Sequence, residues 1–121
     1  MIPENLPKTK LFSLQKDLRK RSWPFYEEPI DLAYCPEIRM INMANYMNCW
    51  EDTASIIAGL DLVISVDTSI LHLAGAMGKK AFGLLQYFPD WRWGLDSTDT
   101  FWYPNITLFR QNVPNDWFSV F

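Results

Sequence analysis

LVISVDTSILHLAGAMG, residues 62–78, carries a strand pattern that runs without a linker into a helical one. Leu62, Val63, Ile64 and Val66 form a short, largely β-branched apolar run, the composition of a strand covered on both faces in a parallel sheet. The chain then turns polar at Asp67, Thr68 and Ser69. Ile70, Leu73, Ala74 and Met77 follow at i, i+3, i+4 and i+7, which predicts a helix that lays this face on the sheet. Gly78 is its natural stop.

Thr68 or Ser69 suits the N-cap of that helix, and the free N–H groups of the first turn point out of the helix start. Those donors and the helix dipole favour an anion, which is why phosphate sites are built at such junctions. His72 falls near the first turn on a different face from Ile70 and Met77. Helical side chains lean toward the N-terminus, so its ring can reach the same anion. The local pattern is equally that of Asp67, Thr68 and Ser69 capping a helix beside a surface histidine.

Outward from this core, Lys10 to Leu14 is a strand candidate with Gln15 and Lys16 at its C-terminal end, and Ile38 to Met43 is a second. Asp52 or Thr53 caps a helix through Gly59 that packs with Ile56, Ile57 and Leu60, and Asn45 to Trp50 forms the loop before it. Lys80 to Leu85 and Asn105 to Arg110 are further strands, Trp91 to Gly94 a short helix, and Trp117 onward the start of a terminal helix. Residues 17–37, interrupted by Pro24, Pro29 and Pro36, read as irregular apart from a turn of helix around Leu18. Strands and helices alternating at this spacing predict βαβ units: an α/β fold with a Rossmann-like parallel sheet flanked by helices. Ligands of such sheets bind at the carboxyl ends of the strands.

A chain of 121 residues buries about two-thirds of its unfolded surface, enough for one core, so residues 1–121 are read as a single domain. Hydrophobic residues at 49% and charged residues at 21% mark a globular chain. A net charge of −3 argues against a nucleic-acid partner, and the basic run Arg19, Lys20 and Arg21 reads as a solvated face. Cys35 and Cys49 lie far apart without a CxxC pattern, which argues for reduced thiols and against zinc. No segment approaches the roughly 20 apolar residues of a membrane span, and Met1 to Glu4 does not begin a signal peptide. The expected location is cytoplasmic.

Four blocks stand in one order: FSLQK (Phe12 to Lys16), DTASIIAGLDLVISVDTSILHLAGAMGK (Asp52 to Lys79), PDWRW (Pro89 to Trp93) and WYPNITLFRQ (Trp102 to Gln111). Together they resemble the C-terminal, nucleotide-sugar-binding half of GT-B glycosyltransferases, especially the heptosyltransferase-like transferases found behind tetratricopeptide repeats in bacterial proteins. The resemblance implies that Lys16, with Gln15 alongside, meets a diphosphate, and that Thr68, Ser69 and His72 hold the diphosphate and sugar. By position Asn48 and Trp50 resemble the loop that lines the base. A carboxylate beside a phosphate would repel it, so Asp67 is expected to accept from a sugar or ribose hydroxyl, or to brace the turn.

The chemistry so implied is inverting, metal-independent sugar transfer from a nucleotide-diphosphate-sugar, the donor substrate, with no separate cofactor. Lys16, His72 and helix N–H groups would stabilise the charge left on the β-phosphate. Asp90, Asp96 and Asp99 are spread through a turn-rich loop rather than clustered as metal ligands. Asp67, Ser69 and His72 could suggest a hydrolase triad, but no G-x-S-x-G elbow is present. Tyr87, Phe88, Trp91 and Trp93 crowd around Arg92, as an aromatic wall for a base or sugar, a cation–π cluster, or core cover.

The resembling enzymes carry an N-terminal acceptor domain, and a first βα unit before the FSLQK block, where this sequence has only Met1 to Lys10. The expectation is a partial domain, completed by an acceptor-domain chain. The alternative is a non-catalytic remnant that serves as a protein-interaction or homodimerisation module.

Overall fold

The computed structural model describes residues 9–15 and 40–120. The division into two compact units, Met1–Thr53 and Ala54–Phe121, falls inside a helix. In the first unit, β1 (Leu11–Ser13) pairs in parallel with β2 (Met40–Asn42), Leu11 opposite Met40 and Ser13 opposite Asn42. The Met43 amide extends the ladder by donating to the Ser13 carbonyl at 3.0 Å. A 3-10 turn (Ala44–Tyr46) follows, and the Asn42 side chain accepts from the Ala44 amide at its start.

Helix α1 (Trp50–Ala58) begins earlier than the capping pattern predicts. Asp52 and Thr53 lie in its first turns and bond backward: Asp52 Oδ2 accepts from the Asn48 amide at 3.1 Å, and Thr53 Oγ1 donates to the Cys49 carbonyl at 3.2 Å. A carboxylate one turn inside the helix closes the start by reaching back, so Trp50 belongs to the helix and not to the loop before it. In the second unit, Ile57 is fully buried, whereas Ile56 and Leu60 are only partly covered.

That unit is built on a parallel sheet in the order β3 (Val63–Val66), β4 (Ala81–Leu85), β5 (Ile106–Arg110). Helix α2 (Ser69–Ala76) connects β3 to β4 and stops in a Schellman motif: the Lys79 amide donates to the Ala74 carbonyl, the Gly78 amide to the Gly75 carbonyl, and Gly78 takes φ +69°. Val63, Ala81 and Ile106 lie abreast, as do Ser65, Gly83 and Leu108. Val63, Ala81, Leu85, Ile106 and Leu108 are buried, together with Leu71 and Ala74 of the helix.

Two expectations from periodicity are corrected. The first is the covering of β3 on both faces: Ile64 is 58% exposed and Val66 45%. The chain steps in one direction from β3 to β4 to β5, and right-handed crossovers that step the same way lie on the same face. α2 and the β4–β5 connection therefore serve one side of the sheet. The second is the helix face: Leu71, Ala74 and Gly75 are buried, while Ile70 and Leu73 are only partly covered and Met77 is exposed. Two glycines turn the helix this way. A Cβ on Gly83 would sit 3.0 Å from a methyl of Leu71 and 3.0 Å from one of Leu108, so the bare backbone of β4 is what admits Leu71. A Cβ on Gly75 would enter the ring of Tyr103, so the bare helix admits that ring.

The short helix expected over Trp91 to Gly94 is a 3-10 turn at Trp91–Trp93, capped by Asp90 Oδ1, and where the start of a terminal helix is expected from Trp117 the described residues form a 3-10 turn at Phe118–Val120. Among the described residues no helix is long and apolar enough to cross a membrane. The expected turn around Leu18, the basic run Arg19 to Arg21 and Cys35 lie outside the described residues.

Candidate functional site

β3 ends at Val66, and the chain turns through Asp67 and Thr68 into α2. Thr68 occupies the N-cap in an extended conformation, φ −139° and ψ 170°, and its carbonyl accepts from the Leu71 and His72 amides at 3.0 and 3.4 Å. Its hydroxyl does not cap the helix. It lies 2.9 Å from Ser65 Oγ, whose proton is already given to the Val66 carbonyl at 2.8 Å, so Thr68 is the donor of that pair. The helix start thus has no side-chain cap, and Asp67, Thr68 and Ser69 are all exposed at the carboxyl end of β3.

His72 is held on several sides. Its Nδ1 shares a 3.0 Å hydrogen bond with the Tyr103 hydroxyl, and its ring lies 5.0 Å from that of Trp93 at an angle of 31°. Tyr103 also meets it edge-on at 5.7 Å. Asp67 Oδ1 stands 3.7 Å from Nε2, too far for a hydrogen bond but close enough for a charge contact when the imidazole is protonated. Both side chains keep about a third of their surface in water, 32% for His72 and 37% for Asp67. Among the described residues no hydrogen bond joins Ser69 to His72, and the two ring nitrogens face Tyr103 and Asp67, so the geometry is not that of a hydrolase triad.

Arg110, at the end of β5, fixes the loop beyond. Its guanidinium donates to the carbonyls of Ser97 at 2.9 Å, Gly94 at 2.9 Å and Trp93 at 2.5 Å. Burial draws its pKa below the ordinary guanidinium value and Asp96 opposes the shift, but a guanidinium stays charged throughout the ordinary range. Gln111 ties the preceding loop to the same strand: its Oε1 accepts from the Tyr87 amide at 3.0 Å and the Asn115 amide at 3.3 Å. The stapled segment Trp91–Trp102 lines an open cleft of about 910 Å³.

Of the residues singled out from sequence, Asp67, Thr68, Ser69 and His72 are brought together on one turn of the second unit. Gln15 and Asn48 belong to the first unit; both are exposed, the Gln15 amide donates to Ser13 Oγ at 3.4 Å, and the Asn48 amide is the donor that holds the Asp52 carboxyl below its ordinary value. Lys16 lies outside the described residues. The aromatic group divides: Trp93 is 2% exposed and packs on His72, whereas Tyr87, Phe88 and Trp91 are exposed. Tyr103, Gly75 and Arg110 were not marked as site residues by sequence reasoning. Tyr103 lies 31 positions from His72 and Arg110 bonds carbonyls 13 to 17 positions away, contacts for which local spacing has no signal.

The family model described as glycosyltransferase family 9 (heptosyltransferase) matches residues 33–116. No curated protein and no solved structure matches the chain.

Proposed function

The chain belongs to glycosyltransferase family 9, and from that premise we propose that it binds the nucleotide-diphosphate-sugar donor of a glycosyl transfer at the turn from β3 into α2. The observation that carries the reading is an uncapped helix start at the carboxyl end of a parallel strand, with exposed hydroxyls and an imidazole beside it. The first-turn amides and the hydroxyls of Thr68 and Ser69 would receive the diphosphate. His72, oriented by Tyr103 and Trp93, would donate from Nε2 to an oxygen that gains charge as the sugar leaves. Asp67, an exposed carboxylate on the same turn, would accept from a sugar or ribose hydroxyl. From the resemblance alone, Lys16 with Gln15 would meet a diphosphate and Asn48 would line a base. Completion by an acceptor-domain chain belongs to the same proposal, and the transfer so arranged is inverting, with positive charge supplied by the protein itself.

Calorimetry with UDP, GDP and ADP, each with and without Mg²⁺, tests the proposal. Saturable binding of one nucleotide is expected, weakened about tenfold or more in His72→Ala and Lys16→Ala, the scale of one lost charge-assisted hydrogen bond. No binding at millimolar nucleotide by a folded sample removes the reading. A second reading, association through the sheet, is favoured by the exposure of Ile64 and Val66 on the uncovered face of β3. A sedimentation mass that rises with concentration and returns to the monomer value in Ile64→Lys would support it.

A further inference from the structure

The cleft beyond β4 has walls of a different chemistry from the helix start. Trp91 and Trp102 stand nearly perpendicular, at 80° and 6.4 Å between ring centres, and form a corner of two indoles. Each is fixed from behind. Trp102 Nε1 donates to the Arg92 carbonyl at 3.0 Å, and the Arg92 guanidinium lies over one face of Trp91 at 5.2 Å while Asp90 Oδ1 holds it at 2.8 Å. Trp91 nevertheless remains 74% exposed. Large aromatic surface left in water on a loop stapled by Arg110 is positioned for a ligand rather than for the core.

The polar lining selects the ligand. Asp96, Ser97, Asp99 and Thr100 share the cleft with the two indoles. The Asp99 carboxylate has no partner among the described residues, and Asp96 acts on Arg110 only through its field. Both therefore retain acceptor capacity for hydroxyl or ammonium donors. Arg92 also lines the cleft, but its guanidinium is engaged by Asp90, so the carboxylates of Asp96 and Asp99 set the local field against a phosphate, whereas the negative face of an indole attracts the weakly positive C–H face of a sugar ring.

We propose that the cleft formed by Trp91, Trp102, Asp96 and Asp99 is a saccharide site, distinct from the helix start, that takes neutral or amino-sugar glycans and rejects anionic ones. At about 910 Å³ the open cleft has room for an oligosaccharide segment. Glycan binding here stands independently of nucleotide binding; only its use as the acceptor of a transfer rests on the donor reading above.

The test is an array of neutral, amino-sugar and uronic-acid oligosaccharides probed with the full chain without nucleotide, followed by calorimetry with the strongest binder. Retention of neutral or amino-sugar glycans is expected, with uronic-acid glycans at least about tenfold weaker. Trp91→Ala should weaken the strongest binder about tenfold and Trp91→Phe much less, since one aromatic face remains. The double variant Asp96→Asn/Asp99→Asn should admit the uronic-acid glycans. Position 91 is exposed, so an unchanged circular dichroism spectrum is expected to accompany the loss. The proposal is overturned if no glycan is retained, if uronic-acid glycans bind as well as neutral ones, or if Trp91→Ala binds like the parent. A concentration-dependent mass that Trp91→Ala abolishes, with no glycan retained, would mark a self-association surface and overturn it too. Because no nucleotide is present, failure of the donor reading leaves these readouts unchanged.

Discussion

A methyl group at position 75 would lie 2.7 Å from Cδ1 of Tyr103 and 2.8 Å from Cδ2, so the absence of a side chain there is what lets the phenol lie against α2 and reach His72. Gly75→Ala should force the ring away and cost about 1–3 kcal/mol in denaturant unfolding, the range of overpacked sites. Tyr103→Phe is the finer probe. It keeps the ring and removes the hydroxyl, so unfolding should move by about 0.5–1.5 kcal/mol, and the His72 ring resonances should shift and broaden as the imidazole loses its anchor. In the first unit, Asp52 is held below its ordinary value of 3.8, mainly by the Asn48 amide. A carboxylate with a depressed folded pKa stabilises the folded form above its unfolded pKa, and that contribution is lost as pH falls through the folded value. An Asn48 amide resonance followed by pH should therefore titrate with a midpoint below 3.8 and be flat in Asp52→Asn.

At the scale of elements, two cations close ends that the backbone leaves open. Lys79 Nζ donates to the carbonyls of Ala58 at 3.0 Å and Leu60 at 2.6 Å, and so satisfies the C-terminus of α1, where a positive charge is favoured. Lys79→Met should fray that end at a cost of about 0.3–1 kcal/mol, seen as faster amide exchange in the last turn of α1. Arg110 does the same for the segment Trp93–Ser97, but across three carbonyls at once. Lysine cannot reproduce a planar fork, so Arg110→Lys should keep the charge yet lose most of the staple, with limited proteolysis opening the 93–102 loop first. Both helices and all the strands of the described residues were legible from apolar periodicity and turn residues, and their bounds differ by a few positions at most. The start of α1 was misplaced because Asp52 caps from inside the helix, and a carboxylate within the first turn has the same local pattern as one standing at the start.

For the molecule as a whole, the second unit is a one-sided layer: α2 and the β4–β5 connection cover one face of a parallel sheet while Ile64 and Val66 remain open on the other. Its core passes from Leu71 through the gap at Gly83 to Leu108, so Leu71→Ala should cost about 2–5 kcal/mol in urea unfolding, more than any change on the exposed face. Local order along the chain determined what sequence alone could: the parallel α/β class, the strand-to-helix turn at Asp67 to Ser69, and the likeness to heptosyltransferase-type glycosyltransferases. The first two rest on periodicity and turn chemistry among near neighbours, and the likeness rests on four sequence blocks standing in one order. Tertiary packing alone decided which face of α2 goes inward, which face of β3 stays open, that Tyr103 and Trp93 orient His72, and that Trp91 stays exposed where Trp93 is buried. The helix face and the seat of Tyr103 turn on two glycines, and the rest on strand order and on contacts between residues distant in the chain, where the space left by one element sets the place of another, and no pattern of spacing encodes that space.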